Sequence, residues 1–114
     1  MKENIVVSRS FEFAKKIVKL YTHLKKEKTY ELASQLFKSG TSIGANIEEA
    51  QAAQSKKDFI AKMSIAAKEA RETRYWLRLL NETDLTHEDT KPLLNECTEL
   101  VNILTKIVKT SSGK

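Results

Sequence analysis

Glycine, proline and cysteine are close to missing from this chain: three, one and one in 114 residues. So few helix breakers exclude a sheet protein built on tight turns, and they equally exclude a flexible tail. A single cysteine, Cys97, excludes an internal disulfide. Aromatic residues make up only 7% of the chain. No uninterrupted apolar run comes near the roughly 18 residues of a membrane span. The opening Met1–Val7 has only three apolar residues together, so no signal peptide is expected and the chain reads as cytoplasmic.

What is abundant is lysine, glutamate, leucine and alanine, with 40% hydrophobic residues overall. That is enough apolar surface to offset chain entropy, and the length suits one domain, residues 1–114. The formal net charge is +5, unevenly spread. Residues 1–81 carry 16 basic and 9 acidic side chains. Residues 82–99 carry Lys91 against Glu82, Asp84, Glu88, Asp89, Glu96 and Glu99. This dipolar pattern suits a nucleic-acid partner or head-to-tail contact between copies.

Four helical seams can be read from apolar spacing. Phe13, Ile17, Leu20 and Leu24 predict a helix over residues 8–26, capped by Ser8 or Ser10. Leu32, Leu36, Ile43, Ile47 and Ala50 predict a second over 30–54, capped by Thr29. Phe59, Met63, Ala66, Ala70, Thr73, Leu77 and Leu80 repeat for three heptads over 56–82, after a Ser55 cap with Asp58 three residues on. Leu94, Cys97, Val101, Leu104 and Val108 mark the fourth, over 87–109, with Pro92 in its first turn. The expected fold class is all-α, an antiparallel up-down-up-down four-helix bundle.

Gly40 and Gly44 each cost about 1 kcal/mol in a helix interior, so a close helix crossing or a bend is expected at them, the alternative being a loop that splits the helix. The alanines of the third helix are the expected partners. Asn46 is expected to bond across to a neighbouring helix and fix register.

Catalytic chemistry finds little footing. Cys97 falls on a core seam, and no glycine-flanked nucleophile turn occurs. No Glu-x-x-His pair offers a metal site, and Gly40-x-x-x-Gly44 lacks the following Lys-Ser/Thr of a phosphate loop. His23 and His87 read as surface or capping residues. No enzyme activity, cofactor or metal is expected.

The basic residues offer more. Arg71, Arg74 and Arg78 form one stripe on the third helix, with Lys68 near it, and Lys15 with Lys19 form a shorter pair on the first. The planar guanidinium fork suits phosphate. The plainer reading is a solvated face in which Glu69 and Glu72 pair with these cations along the helix. Tyr75 and Trp76 lie off the seam and read as a subunit-interface anchor. Base stacking is disfavoured because no second aromatic continues the platform.

The run from Gln35 to Ala50, then Asp58-Phe-Ile60 and Ala66–Leu77, resembles the four-helix bundle proteins of the 23S rRNA intervening-sequence family. Ser42, Ile43, Asn46, Ile47 and Glu49 fit that family's Ser-Ile-x-x-Asn-Ile-x-Glu-Gly text. Ala50 stands where its glycine is usual and Gly44 where its proline is usual. The resemblance implies a homopentameric ring. Through the related accessory proteins of diversity-generating retroelements, it also implies binding to nucleic acid and to a reverse transcriptase. Two readings stay open: a ring whose basic surface binds RNA or DNA, and a purely structural or protein-binding module. In the second, the arginines would pair with the acidic 82–99 stretch of another copy.

Overall fold

The computed structural model describes residues 2–113, with side chains from Ile5 onward. Four helices follow one another: α1 (Lys2–Lys26), α2 (Tyr30–Gln51), α3 (Lys56–Asn81) and α4 (Lys91–Ser111). Each packs closely on its two neighbours in the cyclic order α1, α2, α3, α4, and among the described residues the backbones of the diagonal pairs do not approach within 8 Å. With connections of only three, four and nine residues, this is the expected antiparallel up-down-up-down bundle. It forms a rod of 44 × 22 × 22 Å.

Most seam residues are buried as their spacing predicts, while Leu32, Phe59, Leu94 and Val108 are only half-buried at the core's edge. Phe13, Ile17, Leu24, Leu36, Ile43, Ile47, Met63, Leu77, Cys97 and Leu104 reach no solvent or almost none. Helix limits differ from expectation by three residues or more at three ends, and by one or two at the ends of α3 and α4. α1 begins six residues before Ser8, and Ser10, far from capping it, is buried with its hydroxyl donating to the Val7 carbonyl at 3.1 Å. α2 stops at Gln51, which leaves residues 52–55 for the reversal into α3. α4 begins at Lys91, because the residues before it are held in a loop.

The corner chemistry explains these limits. α1 ends in a Schellman motif: the Lys28 N–H donates to the Lys25 carbonyl at 3.0 Å and the Thr29 N–H to the Leu24 carbonyl at 2.9 Å. Lys28 takes the left-handed conformation this needs, at φ 66°. Thr29 does not cap α2 with its side chain; its hydroxyl donates instead to the Leu85 carbonyl at 2.9 Å. Glu27 beside it accepts from the Thr86 hydroxyl at 2.6 Å and the His87 N–H at 2.9 Å. The α3–α4 loop is thus fastened to the α1–α2 corner. Ser55 does cap α3, accepting from the Asp58 N–H at 3.0 Å, while the Asp58 carboxylate reaches back to the Gln54 N–H.

The glycine turn packs on a different helix from the one expected. A Cβ on Gly40 would lie 2.8 Å from Ile17 Cγ2, and one on Gly44 would lie 3.4 Å from the Ser10 carbonyl oxygen. Both glycines therefore admit α1, not α3. Ala70 of α3 faces α4 instead, where its carbonyl receives the Cys97 thiol at 3.3 Å. Between α2 and α3 the register is fixed by a buried hydroxyl pair, Thr73 Oγ1 and Ser39 Oγ, 2.9 Å apart. Asn46 does not cross to another helix, as its side-chain amide donates to the Ser42 carbonyl of its own α2 at 2.8 Å.

Candidate nucleic-acid interface

α3 turns 100° per residue, so the residues that flank its buried seam on the α4 side recur at Ser64, Arg71, Arg74 and Arg78. Arg71 confirms this orientation by donating to the Thr105 hydroxyl of α4 at 3.2 Å. Arg74 is half-buried and close enough to the Cys97 thiol for its charge to be felt there. Arg78 is exposed, with Glu82 at 4.0 Å, one turn on. A shallow cleft of about 310 Å³ lies between the two helices, lined by Ser64, Arg71, Thr105, Lys109 and Ser112 among others. Lys68 stands exposed one turn before Arg71.

The acids lie elsewhere. α4 holds only Glu96 and Glu99, and both turn toward α1. Lys16 pairs with Glu96 at 3.0 Å and Arg9 with Glu99 at 2.6 Å. Just before α4, Glu88 lies 3.8 Å from His23. The acids of α3 turn toward the α2 side. Glu72 accepts from the Trp76 indole N–H at 3.2 Å. Glu69 has its carboxyl held above the ordinary range, first by burial and then by the Glu72 charge beside it. Among the described residues, Lys68, Arg71 and Arg74 make no ion pair at all. The helical pairing expected of Glu69 and Glu72 with these cations does not form.

Sequence reasoning passed over the α4 half of this face. Lys91, Asn95, Thr98, Asn102, Thr105 and Lys109 recur at spacings of four and three and include no acid. That polar stripe was the available signal. Conversely, Lys15 and Lys19 do not join the arginines, because α1 and α3 sit on a diagonal of the bundle. Lys15 pairs with Glu12 at 3.2 Å, and Lys19 lines a separate cleft between α1 and the start of α4.

The remaining singled-out residues do structural work or open another surface. Ile43 and Ile47 are core, Ser42 donates to the Lys38 carbonyl at 2.6 Å, and Glu49 pairs with Lys62 of α3 at 3.1 Å. That pairing raises the Lys62 pKa. Trp76 is half-buried in an open apolar groove of about 690 Å³ with Tyr30, Leu32, Leu79 and Leu85. Tyr75 is 53% exposed, its ring edge-on to Trp76 at 5.1 Å. The Cys97 thiol is pushed up to about 12, chiefly by burial, so it stays protonated and unreactive at neutral pH. Among the described residues, no group of three or more His, Cys, Asp or Glu side chains is placed to hold a metal ion. Among the described residues, no helix is long and apolar enough to cross a membrane.

A model of the family described as 23S rRNA-intervening sequence protein matches residues 2–106. A crystal structure of a protein of unknown function from the S23 ribosomal protein family of Bacteroides thetaiotaomicron is similar, with 49% identity and a TM-score of 0.88. The match covers 96% of this chain and 99% of that one. No curated protein matches the chain.

Proposed function

From the chain's membership of the 23S rRNA-intervening sequence protein family, and from its non-catalytic four-helix bundle, we propose a ring-forming protein that binds RNA or DNA along its α3–α4 face. One observation carries this reading. Lys68, Arg71 and Arg74 stand without acidic partners, while the acids of α4 are occupied by α1. A cationic surface left unneutralised by its own chain attracts a polyanion. RNA is the first ligand to test, because the family and the solved relative both carry ribosomal names.

The rival reading pairs the arginines with the acidic 82–99 stretch of another copy. Of its six acids, Glu88, Glu96 and Glu99 already lie against basic residues of α1 and Glu82 lies near Arg78, so among the described residues only Asp84 and Asp89 are left for it. The ring supports the nucleic-acid reading by repeating a modest patch around its circumference. Its contacts between copies are proposed at the Trp76 groove, where Leu79 and Leu85 leave apolar surface open.

The test is binding to labelled RNA across a salt series. With about four phosphates neutralised per site, log K is expected to fall against log salt with a slope of roughly −3 to −4. Changing Lys68, Arg71 and Arg78 together to Gln is expected to flatten that slope while the far-ultraviolet circular dichroism stays helical. Binding that ignores salt, or that the triple change leaves intact, overturns the proposal.

A further inference from the structure

Tyr75 is out of place as a core residue and is not part of the Trp76 groove. It follows Lys68 by seven residues and Arg71 by four, and precedes Arg78 by three, so all four share the outer side of α3. The residue is 53% exposed, and its ring stands nearly perpendicular to Trp76, at an interplanar angle of 72°. Among the described residues, no cation lies over that ring and its hydroxyl makes no hydrogen bond. Trp76 is itself held by its bond to Glu72, and a near-perpendicular neighbour covers at most one face of the tyrosine ring, leaving the other without an aromatic partner.

We propose that this face takes single-stranded nucleic acid in preference to a duplex, with a base stacked on Tyr75 and the flanking phosphates held by Lys68, Arg71 and Arg78. The inference rests on the nucleic-acid reading of the same face and narrows it. A duplex keeps its bases stacked on one another, so it meets the cations but has no free base for the tyrosine. A single strand uses both. The lack of a second aromatic, which counted against stacking in the sequence, matters less in three dimensions. Guanidinium planes also stack on bases, and Arg71 and Arg78 stand one turn to either side of Tyr75. Lys68 and Arg78, ten residues apart, are separated by about 15 Å along the helix, room for a short run of nucleotides. Beyond them, α4 contributes Asn95, Asn102 and Thr105, uncharged groups that hydrogen-bond without repelling phosphate.

The experiment compares the full chain and its Tyr75→Ala and Tyr75→Phe variants by fluorescence anisotropy. The probes are a labelled oligouridine of about 20 nucleotides and an RNA duplex of equal length. Tyr75→Ala is expected to weaken single-strand binding about tenfold and duplex binding less than twofold, with the salt slope unchanged. Tyr75→Phe is expected to bind like the wild type, because the ring and not the hydroxyl stacks. Equal effects of Tyr75→Ala on both probes, or no effect on either, overturn the single-strand inference. If Lys68, Arg71 and Arg78 still matter in that case, the cationic face stands without it. A Tyr75→Ala variant that changes the oligomer's mass in light scattering assigns the ring to a subunit contact and also overturns the inference. A wild type that binds neither probe removes both proposals.

Discussion

At the scale of single residues, the two helix-interior glycines of α2 look alike in sequence and differ in space. A Cβ at Gly40 would meet both γ carbons of Ile17, at 2.8 and 2.9 Å. Those carbons sit on a β-branched side chain with little freedom to yield. Overpacking of about 1–3 kcal/mol is set against a helical gain of about 1 kcal/mol, and Gly40→Ala is expected to lose up to about 2 kcal/mol in urea denaturation. At Gly44 the nearest atom is 3.4 Å away, an ordinary contact. There the helical gain wins, and Gly44→Ala is expected to be neutral or up to about 1 kcal/mol more stable. Equal losses at both positions would show that α1 presses on the whole turn and not on Gly40 alone.

At the scale of elements, the nine-residue α3–α4 connection is ordered because Glu27 holds it. Its carboxyl sits below the ordinary range, first through the Thr86 hydroxyl bond and then through the His87 N–H. A depressed folded-state pKa adds stability above the unfolded value, and that stability is lost as pH falls through the folded one. Glu27→Gln is thus expected to lower Tm at neutral pH. The gap from wild type should narrow as pH falls through the lowered folded-state pKa, where the wild-type carboxyl is also protonated. A gap that persists in acid would mean that the side chain's shape, not its charge, holds the loop. The same corner accounts for the late start of α4: Thr86 is spent on Glu27, and Thr90 takes the N-cap position instead.

At the scale of the whole molecule, the bundle is asymmetric around its axis. The α1–α4 seam makes the fewest close backbone approaches and is bridged by Arg9–Glu99 and Lys16–Glu96. Exposed pairs of this kind are worth about 0–1 kcal/mol each, so their larger effect is to remove negative charge from the α3–α4 side. The side opposite the α1–α4 seam, between α2 and α3, carries the Trp76 groove. Light scattering is expected to give a mass several times 13.0 kDa for the wild type. Trp76→Glu combined with Leu79→Glu is expected to give the single-chain mass with helicity retained. A wild type that already runs at the single-chain mass would remove the ring from the proposal.

Local physics was enough to read four helices, their seams and the antiparallel order from the chain, because helical phase repeats every few residues and short connections leave little choice of topology. Ile17, Ile43, Leu77 and Leu104 could be placed in the core from spacing alone. Contacts around the bundle axis could not be read the same way. Which helix crosses Gly40, where Ser39 finds Thr73, and whether Glu96 meets an arginine of α3 or a lysine of α1 all depend on the rotation of each helix and on its neighbours in the ring of four. Those are properties of the closed bundle, set when every apolar face is buried at once. The arginine stripe was visible in the sequence; that Arg71 and Arg74 stand without an acidic partner, with Tyr75 exposed beside them, was decided only by the tertiary structure, which turns the acids of α4 toward α1.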